Sequence, residues 1–303
     1  AQNYTLKILT YGAASAITLS DFQVDTGSFI PGGAWSLTNV NNALYLVYKG
    51  EAPSIAEFIW KPDSNGVWSL AGNWQGGSAP VPGGATLEFG GNGATGYYST
   101  NDVADNFALN WILLSSGSSA TNLIAGQSLM FSGAGAGIML DGSGWTTLTN
   151  RIGWTAPLSF SGSGVGGVTM AGSLTGTGDL SISSYGPVVL AASNSFSGNV
   201  SVTCRGEGKL QVNHLKGLGT NSLTLNRGTL AVNVTPFKFG DAGETGRRGL
   251  VTGSSSVWTN KTAFYVGGAV GAANNTLAVT DRGRFLAANL YLGEGSPGYN
   301  SLI

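Results

Sequence analysis

The sequence Gly-Lys-Leu-Gln-Val-Asn at residues 208–213 is followed at residues 228–233 by Gly-Thr-Leu-Ala-Val-Asn. The two stretches share the pattern Gly-x-Leu-x-Val-Asn at a separation of 20 residues. Alternating apolar and polar side chains are typical of a strand with one buried face, and the flanking Gly and Asn favour turns. A pattern that returns at a constant step indicates a repeat architecture in which each unit buries a face against its neighbour.

The same step connects further strands along the chain. Leu180 and Val200 are separated by 20 residues, and an equal step back from Leu210 leads to Leu190. In a stack whose turns lie about 4.8 Å apart, such residues align into an aliphatic ladder inside the protein. The predicted core ladder consists of Leu180, Leu190, Val200, Leu210 and Leu230.

These units predict an all-β fold, a parallel β-helix or β-solenoid with near-zero helix. No stretch shows the i, i+3, i+4, i+7 spacing of apolar residues that a surface helix needs. A β-sandwich would also give short alternating strands, but it has no reason to repeat one inward leucine at a constant step. Near the end, Asn-Thr-Leu at 275–277 and Asn-Ser-Leu at 300–302 lie 25 residues apart, which predicts longer turns there.

The sequence divides into three regions. Residues 1–52 hold strand-like runs and are interpreted as an N-terminal β-strand segment, either the closing strands of a preceding unit or a pairing segment. Residues 53–110 are rich in Trp, Pro and Gly and are interpreted as the region that opens or caps the solenoid, because an uncovered turn is an open sheet edge. Residues 111–303 are assigned to the β-helix repeats, with the last unit truncated.

Composition narrows the classes of function. The chain has a formal net charge of -1, and charged residues make up only 10% of it. Without a basic patch to neutralise phosphates, we expect no nucleic-acid partner. No run approaches the roughly 18 apolar residues of a membrane span, so we expect no membrane insertion.

Several motifs resemble a known family. The stretches Gly-Val-Trp-Ser at 66–69, Asn-Trp at 73–74 and Leu-Glu-Phe at 87–89 resemble the opening segment of bacterial proteins with autotransporter-associated β-strand repeats. Leu-Thr-Gly-Thr-Gly-Asp-Leu at 174–180 and Asn-Ser-Phe-Ser-Gly-Asn-Val at 194–200 look like the repeat itself. The resemblance implies a right-handed β-helix that is secreted or displayed at the bacterial cell surface, and it brings no catalytic residues.

Acidic residues were the first candidates for chemistry, because polysaccharide lyases and hydrolases on β-helices need clustered carboxylates. The closest groups are Asp102 with Asp105, and Asp241 with Glu244 beside Arg247 and Arg248. The first pair is interpreted as part of a turn and the second as a solvated loop with local ion pairing. We therefore predict no catalytic residue.

Histidine and cysteine each occur once. His214 follows the strand at 210–212 and is interpreted as a corner residue, and a single histidine cannot supply a two-histidine zinc motif. Cys204 follows the strand at 200–203 and is interpreted as a small packed residue. We predict no cofactor and no metal site.

Tryptophan is frequent, with eight residues in the chain. Exposed aromatic rings stack on sugars, so carbohydrate contact is an alternative to packing, and Trp68 and Trp74 are the first candidates.

Taken together, the sequence predicts a non-enzymatic extracellular structural or surface protein, either a fibre that self-associates end to end through terminal strands or a surface stalk or adhesin. One alternative is a polysaccharide-binding adhesin, and a second is a polysaccharide lyase or hydrolase.

Overall fold

The computed structural model describes most of the chain, and the chain divides into two compact units, residues 1–56 and residues 57–303. The described residues are 4–10, 33–40, 42–50, 57–62, 64–91, 96–117, 121–293 and 299–303. Among them the helical content is one 3-10 turn at Ala71–Asn73, which confirms the predicted all-β fold. No helix in this part of the chain is long and apolar enough to cross a membrane.

The first unit contains a three-stranded antiparallel sheet. Its strands are β1 (Tyr4–Thr10), β2 (Gly33–Val40) and β3 (Ala43–Gly50), and β3 lies in the middle. β2 and β3 form a hairpin, and Asn42 in its turn adopts a positive φ of 56°, a conformation that Asn tolerates better than most residues. The predicted boundary at residue 52 falls within residues 51–56, outside the described residues.

The second unit is a β-solenoid of about nine turns, built from parallel strands. Its strands are β4 (Glu57–Trp60), β5 (Asn65–Val67), β6 (Ala85–Gly91), β7 (Tyr98–Asn101), β8 (Phe107–Ser116), β9 (Thr121–Gly126), β10 (Leu129–Phe131), β11 (Gly137–Leu140), β12 (Trp145–Leu148), β13 (Ile152–Trp154), β14 (Leu158–Ser161), β15 (Val168–Met170), β16 (Leu174–Gly176), β17 (Leu180–Ile182), β18 (Val188–Leu190), β19 (Val200–Thr203), β20 (Lys209–Val212), β21 (Leu223–Val232), β22 (Phe237–Phe239), β23 (Arg248–Thr252), β24 (Ser256–Val266), β25 (Thr276–Thr280), β26 (Arg284–Leu292) and β27 (Ser301–Leu302).

The strands lie on three faces of the solenoid. The first face includes β10, β13 and β16, and later β22 with the ends of β24 and β26. The second face runs from β4 and β6 through β11, β14, β17 and β19 to β23, β25 and β27. The third face runs from β5 and β7 through β9, β12, β15, β18 and β20 to the starts of β24 and β26. Long strands such as β21 contribute to two faces, because they continue around a corner.

The predicted ladder is partly confirmed. Leu180 pairs with Val200 on the second face, and Leu210 pairs with Leu230 on the third. Leu190 was placed incorrectly: it pairs with Val212, while Val188 is the residue that stacks on Leu210. The turn between β18 and β20 is two residues longer than the turn between β20 and β21, so a constant step of 20 slips by one inward position.

The inward side chains form a continuous core from Trp60 to Leu277. At its first turns the core is aromatic, with Trp60, Trp68 and Trp74 packed edge to face. The region 53–110 is therefore different from the prediction. From Glu57 onward it already forms solenoid turns, since β4 and β5 pair with β6 and β7, and no structural break occurs at residue 110.

Candidate functional site

Trp68 and Trp74 are core residues. Both are 0% exposed. The Trp68 indole N–H donates to Ser99 Oγ at 2.7 Å, and the Trp74 indole N–H donates to the Trp68 carbonyl at 2.9 Å. Because a ring that stacks on a sugar needs an exposed face, the structure does not offer these two rings to carbohydrate, and the sequence interpretation is corrected at both positions.

Asp102 and Asp105 each bind a different neighbouring segment. Asp102 accepts hydrogen bonds from the amide and hydroxyl of Ser69, at 2.8 and 2.5 Å, and Asp105 accepts from the amide and hydroxyl of Ser128. Burial raises the pKa of Asp102, but the hydrogen bonds from Ser69 outweigh it and hold the pKa below its usual value. The Ser128 hydroxyl and amide likewise lower the pKa of Asp105. Both carboxylates therefore link turns as anions, and they do not form an acid–base pair.

The group around Arg247 differs from its prediction as a solvated loop. The Arg247 side chain is only 5% exposed, and its Nη1 lies 3.1 Å from Glu244 Oε2. Its Nε donates to the Asn221 carbonyl at 3.0 Å, and its guanidinium lies 4.4 Å from the ring centroid of Phe239. Burial lowers the pKa of Arg247, and Glu244 opposes that change. Arg247 thus ties one turn to another, whereas Arg248 is exposed.

His214 and Cys204 occupy the positions that were predicted. His214 lies at the corner after β20, where its Nδ1 accepts a hydrogen bond from the Lys216 amide at 3.2 Å. Cys204 is buried, and burial raises the pKa of its thiol to about 11, so the thiol is protonated near neutral pH and is a poor nucleophile. In the part of the chain that the structure describes, no three His, Cys, Asp or Glu residues form a metal-binding group.

Asparagine side chains connect successive turns at the corners. Asn233 donates to the Asn213 side chain at 3.0 Å, and Asn275 donates to Asn300 at 3.1 Å. Asn194 accepts from the Leu174 amide and donates to the Gly217 carbonyl. These bonds satisfy polar groups that the stack buries, which leaves the outer surfaces as the places for function.

The last turn presents an incompletely covered core. Leu302 pairs with Leu277, and Leu292 pairs with Val266. Val266 and Leu277 are fully buried, but Leu292 is 49% and Leu302 is 42% exposed. Since β26 pairs with β24 and β27 with β25 on one side, the opposite edge of each strand lies at the end of the stack.

Tyrosine rings continue this stacking on the outside of the last turn. The rings of Tyr265 and Tyr291 lie 4.6 Å apart between centroids and at 11° to each other. Tyr291 is 39% exposed, so part of its ring remains accessible. We call Phe285, Leu290, Tyr291, Leu292 and Leu302 the terminal surface. Sequence reasoning did not single out these residues, although the Asn-Ser-Leu unit at 300–302 already marked the turn that contains Leu302.

Comparison with known proteins leaves the family prediction untested. No family model matches the chain, and neither a curated protein nor a solved structure was found to be similar to it.

Proposed function

We propose that this chain is a structural protein of the cell exterior whose solenoid associates end to end with a second copy. The observation that supports this proposal is the terminal surface. Positions that are fully buried in every preceding turn of the same register are half exposed there. A surface of this kind is stabilised when another layer of strands covers it.

The chemistry of the terminal surface favours a β-layer as its cover. Leu292 and Leu302 each gain about 1 kcal/mol when the exposed half of the side chain is buried. The free edge of β26 offers backbone hydrogen bonds along its length, and the Tyr291 ring offers a face for a further aromatic or planar side chain. These contributions together have to exceed the entropy lost on association.

A second copy fits this surface because of its cross-section. The layer that covers the last turn must supply parallel strands on three faces and apolar side chains at inward positions. Another solenoid with the same cross-section has both properties. The contact joins different ends of two copies, and such head-to-tail contacts extend into filaments when the rotation does not close a ring.

The exterior location rests on the sequence resemblance to secreted and surface-displayed bacterial proteins, not on the fold. Labelling of intact cells with an antibody against the solenoid tests it. Labelling only after the cells are broken would contradict an exterior location.

Electron microscopy and sedimentation velocity over a range of concentrations test the association. We expect the protein to form elongated rods that lengthen with concentration, and we expect the double variant Leu292→Lys, Leu302→Lys to remain monomeric because it buries charge at the contact. Val165→Lys is the matched control, because Val165 is 65% exposed in the middle of the solenoid and should not affect association. Short monodisperse rods at every concentration would overturn the proposal.

A further inference from the structure

A polar groove crosses several turns at the corner between the second and third faces. It has a volume of about 380 Å³. Its walls include Ser163, Ser183, Tyr185, Thr203, Arg205 and Arg227. These residues follow β14, β17 and β19 or lie in β21, and so they come from four successive turns.

Backbone contacts fix the direction of the groove. The Tyr185 amide donates to Gly162 at 3.1 Å, the Arg205 amide donates to Ser184 at 3.3 Å, and Thr203 is in register with Arg227. Each contact joins one turn to the next, so the groove runs along the solenoid axis. With turns about 4.8 Å apart, four turns span about 15 Å.

Two arginines supply the positive charge of this groove. Arg205 and Arg227 are both exposed. In the described residues the ion pairs are Lys238 with Asp241 and Arg247 with Glu244, so neither groove arginine has an acidic partner within 4.0 Å.

Further charged groups lie close to the two arginines. An adjoining depression of about 520 Å³ shares both of them and adds Lys209 and Glu207 to the walls. Asp141 lies beyond the other end, where it accepts a hydrogen bond from the Ser163 amide at 3.1 Å. The centre of the groove is therefore cationic, and acids occur only at its margins.

Tyr185 provides a fixed aromatic wall. Gly206 allows its ring to lie close to the backbone, because a Cβ at this position would be 2.9 Å from Tyr185 Cδ1. Gly206 also has a positive φ of 54°, which suits glycine. The Tyr185 side chain remains 37% exposed, so the part of the ring away from Gly206 faces solvent.

We propose that this groove binds an acidic oligosaccharide whose sugar units carry carboxylates, a role beyond the structural function proposed above. Arginine guanidinium groups pair with planar carboxylates through two parallel hydrogen bonds. The hydroxyls of Ser183 and Thr203 match sugar hydroxyls, and the Tyr185 ring matches the apolar face of a sugar ring. A sugar unit in an extended chain is about as long as one turn spacing, so consecutive units meet consecutive turns.

Other anionic ligands fit this groove less well. Nucleic acid presents a dense row of phosphates and is bound by many cations, whereas this groove has two arginines in a chain of net charge -1. Free phosphate has no apolar face to occupy the Tyr185 wall and spans only one turn.

Isothermal titration calorimetry tests the groove with a tetrasaccharide of glucuronic acid, and the glucose tetrasaccharide of the same linkage is the neutral control. We expect binding of the acidic compound only, weakening as salt is added. Arg205→Gln and Arg227→Gln should each weaken binding about tenfold, and the double variant should abolish it. Arg248→Gln, an exposed arginine at the opposite end of the second face, should leave binding unchanged.

Tyr185 variants separate the aromatic wall from the charge. Tyr185→Phe keeps the ring and should bind like the parent protein, whereas Tyr185→Ala should weaken binding without changing its salt dependence. Equal binding of the neutral tetrasaccharide, or unchanged binding by the double arginine variant with unaltered circular dichroism, would overturn the proposal. Tighter binding of single-stranded DNA than of the acidic sugar would also overturn it.

Discussion

Replacing Leu210 with alanine tests the stacked core directly. Leu210 is fully buried and lies in register between Val188 in the preceding turn and Leu230 in the following one. Buried Leu→Ala substitutions cost about 3 to 5 kcal/mol when the surroundings cannot close around the cavity. Backbone hydrogen bonds hold the turns on both sides at about 4.8 Å, so the neighbours cannot move inward. We therefore expect a loss of about 3 kcal/mol or more in the free energy of unfolding.

Gln211→Ala is the matched control for this substitution. Gln211 lies on the same strand but on the outer side, where its amide contacts the Asn213 side chain at 3.0 Å. Its replacement removes only an exposed hydrogen bond, so we expect a change of about 0.5 kcal/mol or less. Urea unfolding followed by far-ultraviolet circular dichroism measures both variants.

Hydrogen exchange adds a spatial test of the same substitution. Each turn of a solenoid contacts only its neighbours, so a cavity at Leu210 should speed amide exchange in β18, β20 and β21 more than in β25. A loss of stability below about 1 kcal/mol, or one equal to that of Gln211→Ala, would refute the register described here. Uniform acceleration throughout the unit would refute the nearest-neighbour description.

Three further predictions concern a corner, a thiol and an ion pair. Gly126→Ala should destabilise the solenoid by about 2 kcal/mol or more, because Gly126 has a φ of 97° and a Cβ there would lie 2.2 Å from a backbone carbonyl oxygen; Gly72→Ala, with nothing within 4 Å, should be neutral in thermal unfolding. Burial raises the pKa of Cys204 from its ordinary value near 9 to about 11, so its protonated thiol stabilises the fold below about pH 9 and this contribution is lost as the pH rises towards 11; alkylation should be slow in the native protein and fast in urea, and equal rates would contradict this. Glu244→Gln leaves the Arg247 guanidinium without its ion-pair partner and should lower stability by about 1 to 2 kcal/mol, less than for a fully buried pair because Glu244 is partly exposed; an unchanged melting temperature would contradict it.

The repeat of inward residues made the fold predictable from sequence, and the corners limited how far the register could be extended. Leu210 and Leu230 lie in turns of equal length and were paired correctly, whereas Leu190 was not. A corner can lengthen by two residues without changing which side chains face inward, because the side-chain period of a strand is also two. The sequence alone does not reveal such an insertion.

The direction of the aromatic side chains was harder to predict. Trp68 and Trp74 lie in a stretch that reads as a Trp- and Gly-rich surface region, yet both are buried with indole N–H groups that donate to neighbouring atoms. An indole is large and apolar with one polar atom, so it can pack in a core once that atom has a partner. That partner, Ser99 for Trp68, is supplied by a later turn and cannot be identified from local sequence.

The division between faces and corners also indicates where a solenoid of this kind can acquire binding sites. Inward positions such as Leu210 are constrained by packing, and strand edges are occupied by pairing with adjacent turns. Corner residues are constrained only by the need to turn, so their length and side chains can vary while the core stays intact. Because corners of consecutive turns lie above one another, residues far apart in sequence, such as Tyr185, Arg205 and Arg227, meet in one groove. A ligand with a repeating structure of similar spacing is the natural match for such a groove, whereas a compact ligand would use only one turn of it.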